Sequence, residues 1–404
     1  MKKIFKNHVG LIIILAIIFA FPVSLSTQAR LNSRVIVTGL AIDKNGWDYE
    51  ITAQFVKTAP NSKSQESKAE INFISDTGES VTSTLSKLLY KTGKMTGFSH
   101  TNYIILGSDL LEEDVTQFLD YFIRDNVIED SVCVLFAEKK AKDEIEKTKE
   151  LDLTVGIGLQ KVFLYKEKES DGVMTSLMEF LRDSKEISKT SLASEVSLES
   201  QKKDSNQQES GESSNGDESG KQKQESQYFK SISPVVCFVD GKFVGKLEDD
   251  EELQGFMLAK EKCSVDDLYL KNLSFGQLNE ASAGIKIKNK KVSKKIRYEG
   301  NIPCLDIVIK VKNAEITEFQ NKDVVMELAS DEFDYIKQKI KEDISSKVAK
   351  AFEKSTKIKA DIFKAYSKAT KFHYSKTTQN FASLDEFLSA LKLNVIVEVS
   401  KLEY

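Results

Sequence analysis

The side chains able to do chemistry are few and scattered. His100 stands in the first half of the chain, where an imidazole could act as a general base or a pH-sensitive group. No serine or cysteine nucleophile motif accompanies it, so its expected role is structural, with ring nitrogens bonded to backbone at the edge of a packed strand. Asp43, Asp48 and Glu50 fall close together, yet the repeated acidic ligands and closing glutamate of a calcium loop are missing, and turn chemistry is preferred. Gly156-Ile157-Gly158 lacks a third glycine and a helix start that could cradle phosphate. Cys133, Cys237, Cys263 and Cys304 contain no CxxC pair, which leaves a zinc or thioredoxin-type site without support. An exported context would permit disulfides among them, but Cys133 and Cys237 lie in apolar, strand-like runs where cysteine acts as a small buried hydrophobe. His373 falls on an expected surface helix. Catalytic, cofactor-binding and metal-ligating residues are therefore expected to be none, and no cofactor is implied.

Two charged groupings have plain structural readings. Arg124-Asp125 marks a helix boundary, since an exposed pair contributes only about 0 to 1 kcal/mol. The lysines at 286, 288, 290, 291, 294 and 295 could face anionic lipid or a partner, with a solvated sheet face as the preferred reading.

The elements that must position these residues are legible in the periodicity. Tyr103 to Leu106 is a short apolar run, Gly107 to Asp109 turns, and Leu111, Val115, Phe118, Leu119 and Phe122 recur at helical spacing. Val132 to Ala137 is a further strand-length run, so a βαβ-like unit centres the first half. Before it, Arg34 to Ile42 and Trp47 to Val56 flank Asn45-Gly46 as a hairpin, followed by a strand from Ile71 and a helix from Val81. Lys140 to Lys149 reads as a charged surface helix. Ser233 to Val239 and Lys242 to Leu247 form a second hairpin about Asp240-Gly241. Ile285 to Ile316 predicts an antiparallel meander turning at Asn289-Lys290 and Gly300-Asn301. Ser330 is the expected cap of a long helix with Phe333, Ile336, Ile340, Ile344, Val348 and Phe352 on one stripe; a second helix spans Ala360 to Tyr374, and Leu393 to Val399 is an alternating strand. Strands and helices segregate, so the fold class is α+β, with mixed or antiparallel sheets packed on helices.

At 404 residues and a net charge of −4, the chain exceeds one core and lacks the basic excess of a dedicated nucleic-acid binder. Lys2, Lys3 and Lys6 precede an apolar run from Val9 to Phe21, which at about 20 Å of helix is short for a bilayer core of about 30 Å. Residues 1–29 read as a signal peptide ending at Ala29, with an uncleaved membrane anchor as the alternative. Residues 30–182 form the first domain. Residues 183–227, with almost no apolar content after Leu198, form a flexible polar linker. Residues 228–404 form the second domain, with a possible internal boundary near 283.

Four stretches in order resemble the C-subunit family of spore germinant receptors, often written Ger(x)C. They are Val37-Thr38-Gly39-Leu40-Ala41-Ile42-Asp43; the block Phe98, His100, Ile104, Ile105, Gly107, Leu110, Arg124 and Asp125; Gly241, Lys242, Val244, Gly245 and Leu247; and Ala360-Asp361-Ile362-Phe363. Two departures stand out. The family's lipid-modified cysteine has no counterpart before Cys133, so there is no lipidation residue, and the glycine after the last motif is replaced by Lys364. The resemblance implies a non-enzymatic exported subunit on the outer face of the spore inner membrane. It implies two membrane-spanning partner subunits and contact with the membrane surface, with neither nucleic acid nor metal. The alternative expectation is a secreted soluble protein, released after signal cleavage, that captures a small ligand.

Overall fold

The computed structural model describes residues 34–57, 70–92, 95–124, 128–149, 157–201, 226–229, 233–261, 266–321 and 328–404. The leader 1–29, most of the expected linker, Asp125 and Cys263 lie outside the described residues. The architecture is α+β, built on two larger sheets.

The first sheet begins with β1 (Arg34–Asn45), β2 (Asp48–Lys57) and β3 (Glu70–Gly78), an antiparallel ribbon whose first turn places Gly46 at φ +65°. Helix α1 (Val81–Thr92) and the short β4 (Met95–Gly97) follow. Then β5 (Tyr103–Leu106), α2 (Val115–Arg124) and β6 (Cys133–Ala137) form the expected βαβ unit, with β1, β5 and β6 running parallel. Every residue of β5 and β6 is buried, because helices cover both faces of the sheet. One face packs Leu40, Ile42, Ile104 and Phe136 against Leu85, Phe118 and Phe122. The other packs Tyr103, Ile105 and Leu135 against Ile145 of α3 (Ala141–Lys147) and Phe163 of α4 (Ile157–Lys168). Ala141, Glu144 and Ile145 are buried, so α3 is more than the charged surface helix the sequence suggested.

The sheet continues where the sequence predicted linker. After α5 (Leu177–Lys185) comes β7 (Thr190–Val196), which pairs parallel to β6 and is buried along nearly its whole length. Its serines are tolerated inside because they find partners: Ser191 Oγ donates to the Phe180 carbonyl at 2.8 Å, and Ser194 Oγ accepts from the Val173 N–H at 2.8 Å. Strand β8 (Leu198–Gln201) pairs with β9 (Ser226–Phe229) as a separate ribbon. The hairpin of β10 (Val235–Val239) and β11 (Lys242–Leu247) then returns to the first sheet, β10 lying antiparallel to β7. A division at residue 228 therefore leaves this hairpin hydrogen-bonded to the strands before it. Asp240 and Gly241 both adopt positive φ, as a two-residue turn requires.

Helix α6 (Asp250–Leu258) leads into the second sheet: β12 (Asp266–Phe275), β13 (Leu278–Glu299), β14 (Ile302–Gln320) and, after the helices, β15 (Lys392–Glu403). The turn expected at Asn289-Lys290 is a bulge within one long strand, while Gly300 does turn the chain. β15 joins β14 in parallel. Helix α7 (Ser330–Lys357) lays Ile336, Ile340, Ile344 and Val348 on this sheet's inner face. Ser330 is its first helical residue, not its cap; the Glu332 carboxylate instead accepts the Ala329 N–H at 2.8 Å. Three short helices complete the layer: α8 (Ala365–Phe372), α9 (Tyr374–Asn380) and α10 (Leu384–Ala390). The single expected helix over 360–374 thus starts later and breaks at His373.

Candidate functional site

Two places gather the singled-out residues. The first is the end of the first sheet where β1, β5 and β6 finish. Asp43 closes β1 and is buried, and its carboxylate accepts the N–H groups of Ala141 at 2.7 Å and Lys142 at 2.9 Å, capping a helix nearly a hundred residues away. Burial raises its pKa, against the pull of those two N–H groups and of Lys140. Gly107 is needed beside it, since a methyl there would overlap Asp43 Oδ1. Deeper in the same strands, Gly39 makes room for the Tyr103 ring. The Tyr103 hydroxyl donates to Gln54 Oε1 at 2.5 Å, Thr38 donates to the same oxygen at 3.1 Å, and Gln54 Nε2 donates to Thr148 at 2.9 Å. This closed network is buried, so its members serve the core and not a ligand.

Outside Asp43, the rim carries paired charges: Lys44 with Glu113, Lys140 with Asp109, and Lys142 with Glu50 at 2.7 Å. An open groove of about 690 Å³ adjoins them, lined by Trp47, Tyr49, Phe118 and Tyr121 with Glu79 and Asp114. Carboxyl ends of parallel strands are where open α/β sheets place ligands. The acidic trio Asp43, Asp48 and Glu50 does not converge, because Asp43 turns inward to α3 and Glu50 pairs with Lys142. Among the described residues no group of three His, Cys, Asp or Glu side chains is placed to hold a metal.

The second place is the junction between the halves. Asp361 is buried and caps α8, its carboxylate accepting the N–H groups of Ala365 at 2.6 Å, Tyr366 at 2.9 Å and Ser367 at 3.2 Å. Its own N–H donates to Thr190 Oγ1 of β7 at 3.1 Å, so the cap is bonded to the first sheet. Burial pushes the Asp361 carboxyl up to about 6 despite the three donors. Nearby Lys294 turns inward with Nζ 5.9 Å from the Phe363 ring centroid, and burial lowers its pKa to about 8. Lys290 also leaves the wet face, its ammonium donating to the Met257 carbonyl at 2.9 Å. The expected row of six outward lysines is therefore reduced by two.

Lys364, the residue replacing the family glycine, adopts φ +57° and ψ +34°. That is the left-handed region, which explains why glycine suits the position. The lysine is held by Asp183 at 2.9 Å and Glu186 at 3.8 Å, both at the end of α5.

Other expectations meet mixed outcomes. His100 is exposed on the turn before β5 instead of packed at a strand edge; its carbonyl accepts from Asn102 Nδ2 at 3.0 Å, while Phe98 is the buried member of the motif. Arg124 pairs with Asp120 one helical turn back. Cys133 and Cys237 are free, buried thiols, and burial raises both to about 12; Cys304 is also free and buried. The Asp361–Thr190 bond was invisible to spacing arguments, since its partners stand 171 positions apart. The one local signal was the ADIF motif itself.

Two family models cover most of the chain. The sequence model of the spore germination protein N-terminal domain matches residues 27–198, and that of the spore germination B3/GerAC-like C-terminal domain matches residues 235–401. No curated protein matches the chain. Among solved structures, the crystal structure of the GerBC protein is similar at 16% identity, covering 90% of this chain and 96% of that chain, with a TM-score of 0.49.

Proposed function

The chain belongs to the GerAC-like family of spore germination proteins, and from that premise we propose that it is a non-enzymatic, exported subunit of a nutrient germinant receptor. Its work is assembly and signal coupling. Two membrane-spanning subunits are its partners, and it lies on the outer face of the spore inner membrane.

The observation that carries this reading is the use made of the family's own residues. Asp43, Gly107, Gly241 and Asp361 sit at joints: two buried caps, a close approach and a turn. Asp361 joins α8 to β7, so displacement of one sheet is carried to the other. Such a body suits a two-state coupler whose equilibrium partners bias. Among the described residues no helix is long and apolar enough to cross a membrane. The test is deletion of the gene followed by nutrient-triggered germination. Loss of the response, restored by the intact chain, is expected; normal germination without it refutes the role.

A second reading keeps the chain as a secreted ligand-binding protein, favoured by the lack of any cysteine before Cys133 to accept lipid. Recovery of the chain in the culture medium and not in spore membranes would establish it.

A further inference from the structure

The corner where α8 meets α9 is exposed, aromatic and one-signed in charge. Phe372 is 67% exposed and Tyr374 64%. Between Ile362 and Leu384 the chain has Lys368, Lys371 and Lys376, besides Lys364 paired to α5, and neither aspartate nor glutamate. The corner is braced from beneath by the β13–β14 hairpin: Tyr298 and Thr377 share a hydroxyl hydrogen bond of 2.8 Å, and His373 Nε2 faces the Ile296 carbonyl at 3.2 Å. Lys376 Nζ sits 4.9 Å from the Tyr298 ring centroid and Lys371 Nζ 5.5 Å from that of Phe372. Glu299, next to Tyr298 in the hairpin, is paired with Arg297.

Position in the fold supplies a second observation. Strands β1, β5, β6 and β7 run parallel, so β7 begins at the same edge of the sheet as β1. The two strands lie three spacings, roughly 14 Å, apart across the sheet, and β1 starts about three residues further out than β7. Ser367 of α8 reaches the start of β7, its hydroxyl 3.1 Å from that of Ser188. The first turn of α8, which leads into the corner, is therefore held at the edge where the described chain begins at Arg34. If the run Val9 to Phe21 is kept as an uncleaved anchor, the twelve residues from Pro22 to Ser33 that tie it to this edge can span at most about 40 Å.

We propose that the α8–α9 corner is a membrane-docking surface for anionic lipid headgroups, with Phe372 and Tyr374 entering the interface and Lys371 and Lys376 contacting the lipid charge. This inference rests on the membrane-bound reading above. The opposite edge of the sheet faces away, and Trp47, the sole tryptophan and 93% exposed, marks it.

That tryptophan makes the test internal. The full chain is reconstituted into phosphatidylcholine vesicles, with or without phosphatidylglycerol, that carry headgroup-labelled nitroxide lipids. Native Trp47 emission is expected to stay unquenched. In a W47F/F372W chain, emission is expected to fall by about half in anionic vesicles and to recover with salt. Adding K371E/K376E is expected to weaken the affinity for anionic vesicles, read from the lipid concentration at half-maximal quenching, by at least about fivefold per lysine. Circular dichroism checks that each variant is folded. Quenching of native Trp47, equal quenching of the F372W reporter in both vesicle types, or none in either overturns the assignment. None of these outcomes bears on the germination role, which the deletion strain decides separately.

Discussion

Lys364 offers a prediction whose sign alone is decisive. At φ +57° an L-residue is strained by about 1 to 2 kcal/mol, which glycine escapes while losing about 0.5 to 1 kcal/mol more backbone entropy on folding. Lys364→Gly should therefore be more stable than Lys364→Ala by about 1 kcal/mol. At an ordinary helical position the order is reversed by a similar amount. Both variants lose the partly exposed pair with Asp183, worth about 0 to 1 kcal/mol, so glycine should come out close to the native lysine and alanine below both. Urea unfolding of the three proteins, followed by far-ultraviolet circular dichroism, measures the differences. A double-mutant cycle with Asp183→Asn isolates the ion pair, expected at about 0.5 kcal/mol. If alanine equals or exceeds glycine, position 364 is not left-handed, and the account of the family's glycine fails with it.

Asp361 should impose a pH dependence. Its folded pKa, raised to about 6, lies above the unfolded value, so the stability it contributes is fully present below about pH 4 and lost as pH rises through 6. That rise corresponds to about 3 kcal/mol, and Asp361→Asn should flatten the slope in urea midpoints compared from pH 4 to 7. Gly255→Ala should destabilise by about 2 to 3 kcal/mol, because α6 crosses α7 with this glycine against the Lys347 carbonyl and backbone cannot yield as a side chain does; thermal unfolding reads it. Cys133 and Cys237, buried and with thiols near 12, should resist iodoacetamide at pH 8 until the protein is unfolded, and peptide mass mapping that finds either labelled in the native state contradicts their burial.

What the sequence alone determined was whatever depends on near neighbours. Turn stereochemistry at Asn45-Gly46 and Asp240-Gly241 marked both hairpins, the apolar stripe from Ile336 to Val348 marked α7, and alternation marked β15. Four short motifs in order also pointed to the family. Tertiary structure decided where those pieces go and which polar residues are buried. The strand Thr190 to Val196 looked like linker because its serines carry no hydrophobic pattern, and only Phe180 and Val173, brought beside it by folding, satisfy them. Lys294 matched its outward neighbours until the sheet bulged near Asn289 and turned it toward Phe363. Asp43 and Asp361 were each an acidic residue in a motif; the helix that Asp43 caps lies nearly a hundred positions away, and the Thr190 hydroxyl that the Asp361 N–H reaches lies 171 away. Period and turn propensity act over a few residues, whereas the desolvation of a polar group is settled by whichever distant segment supplies its hydrogen bond.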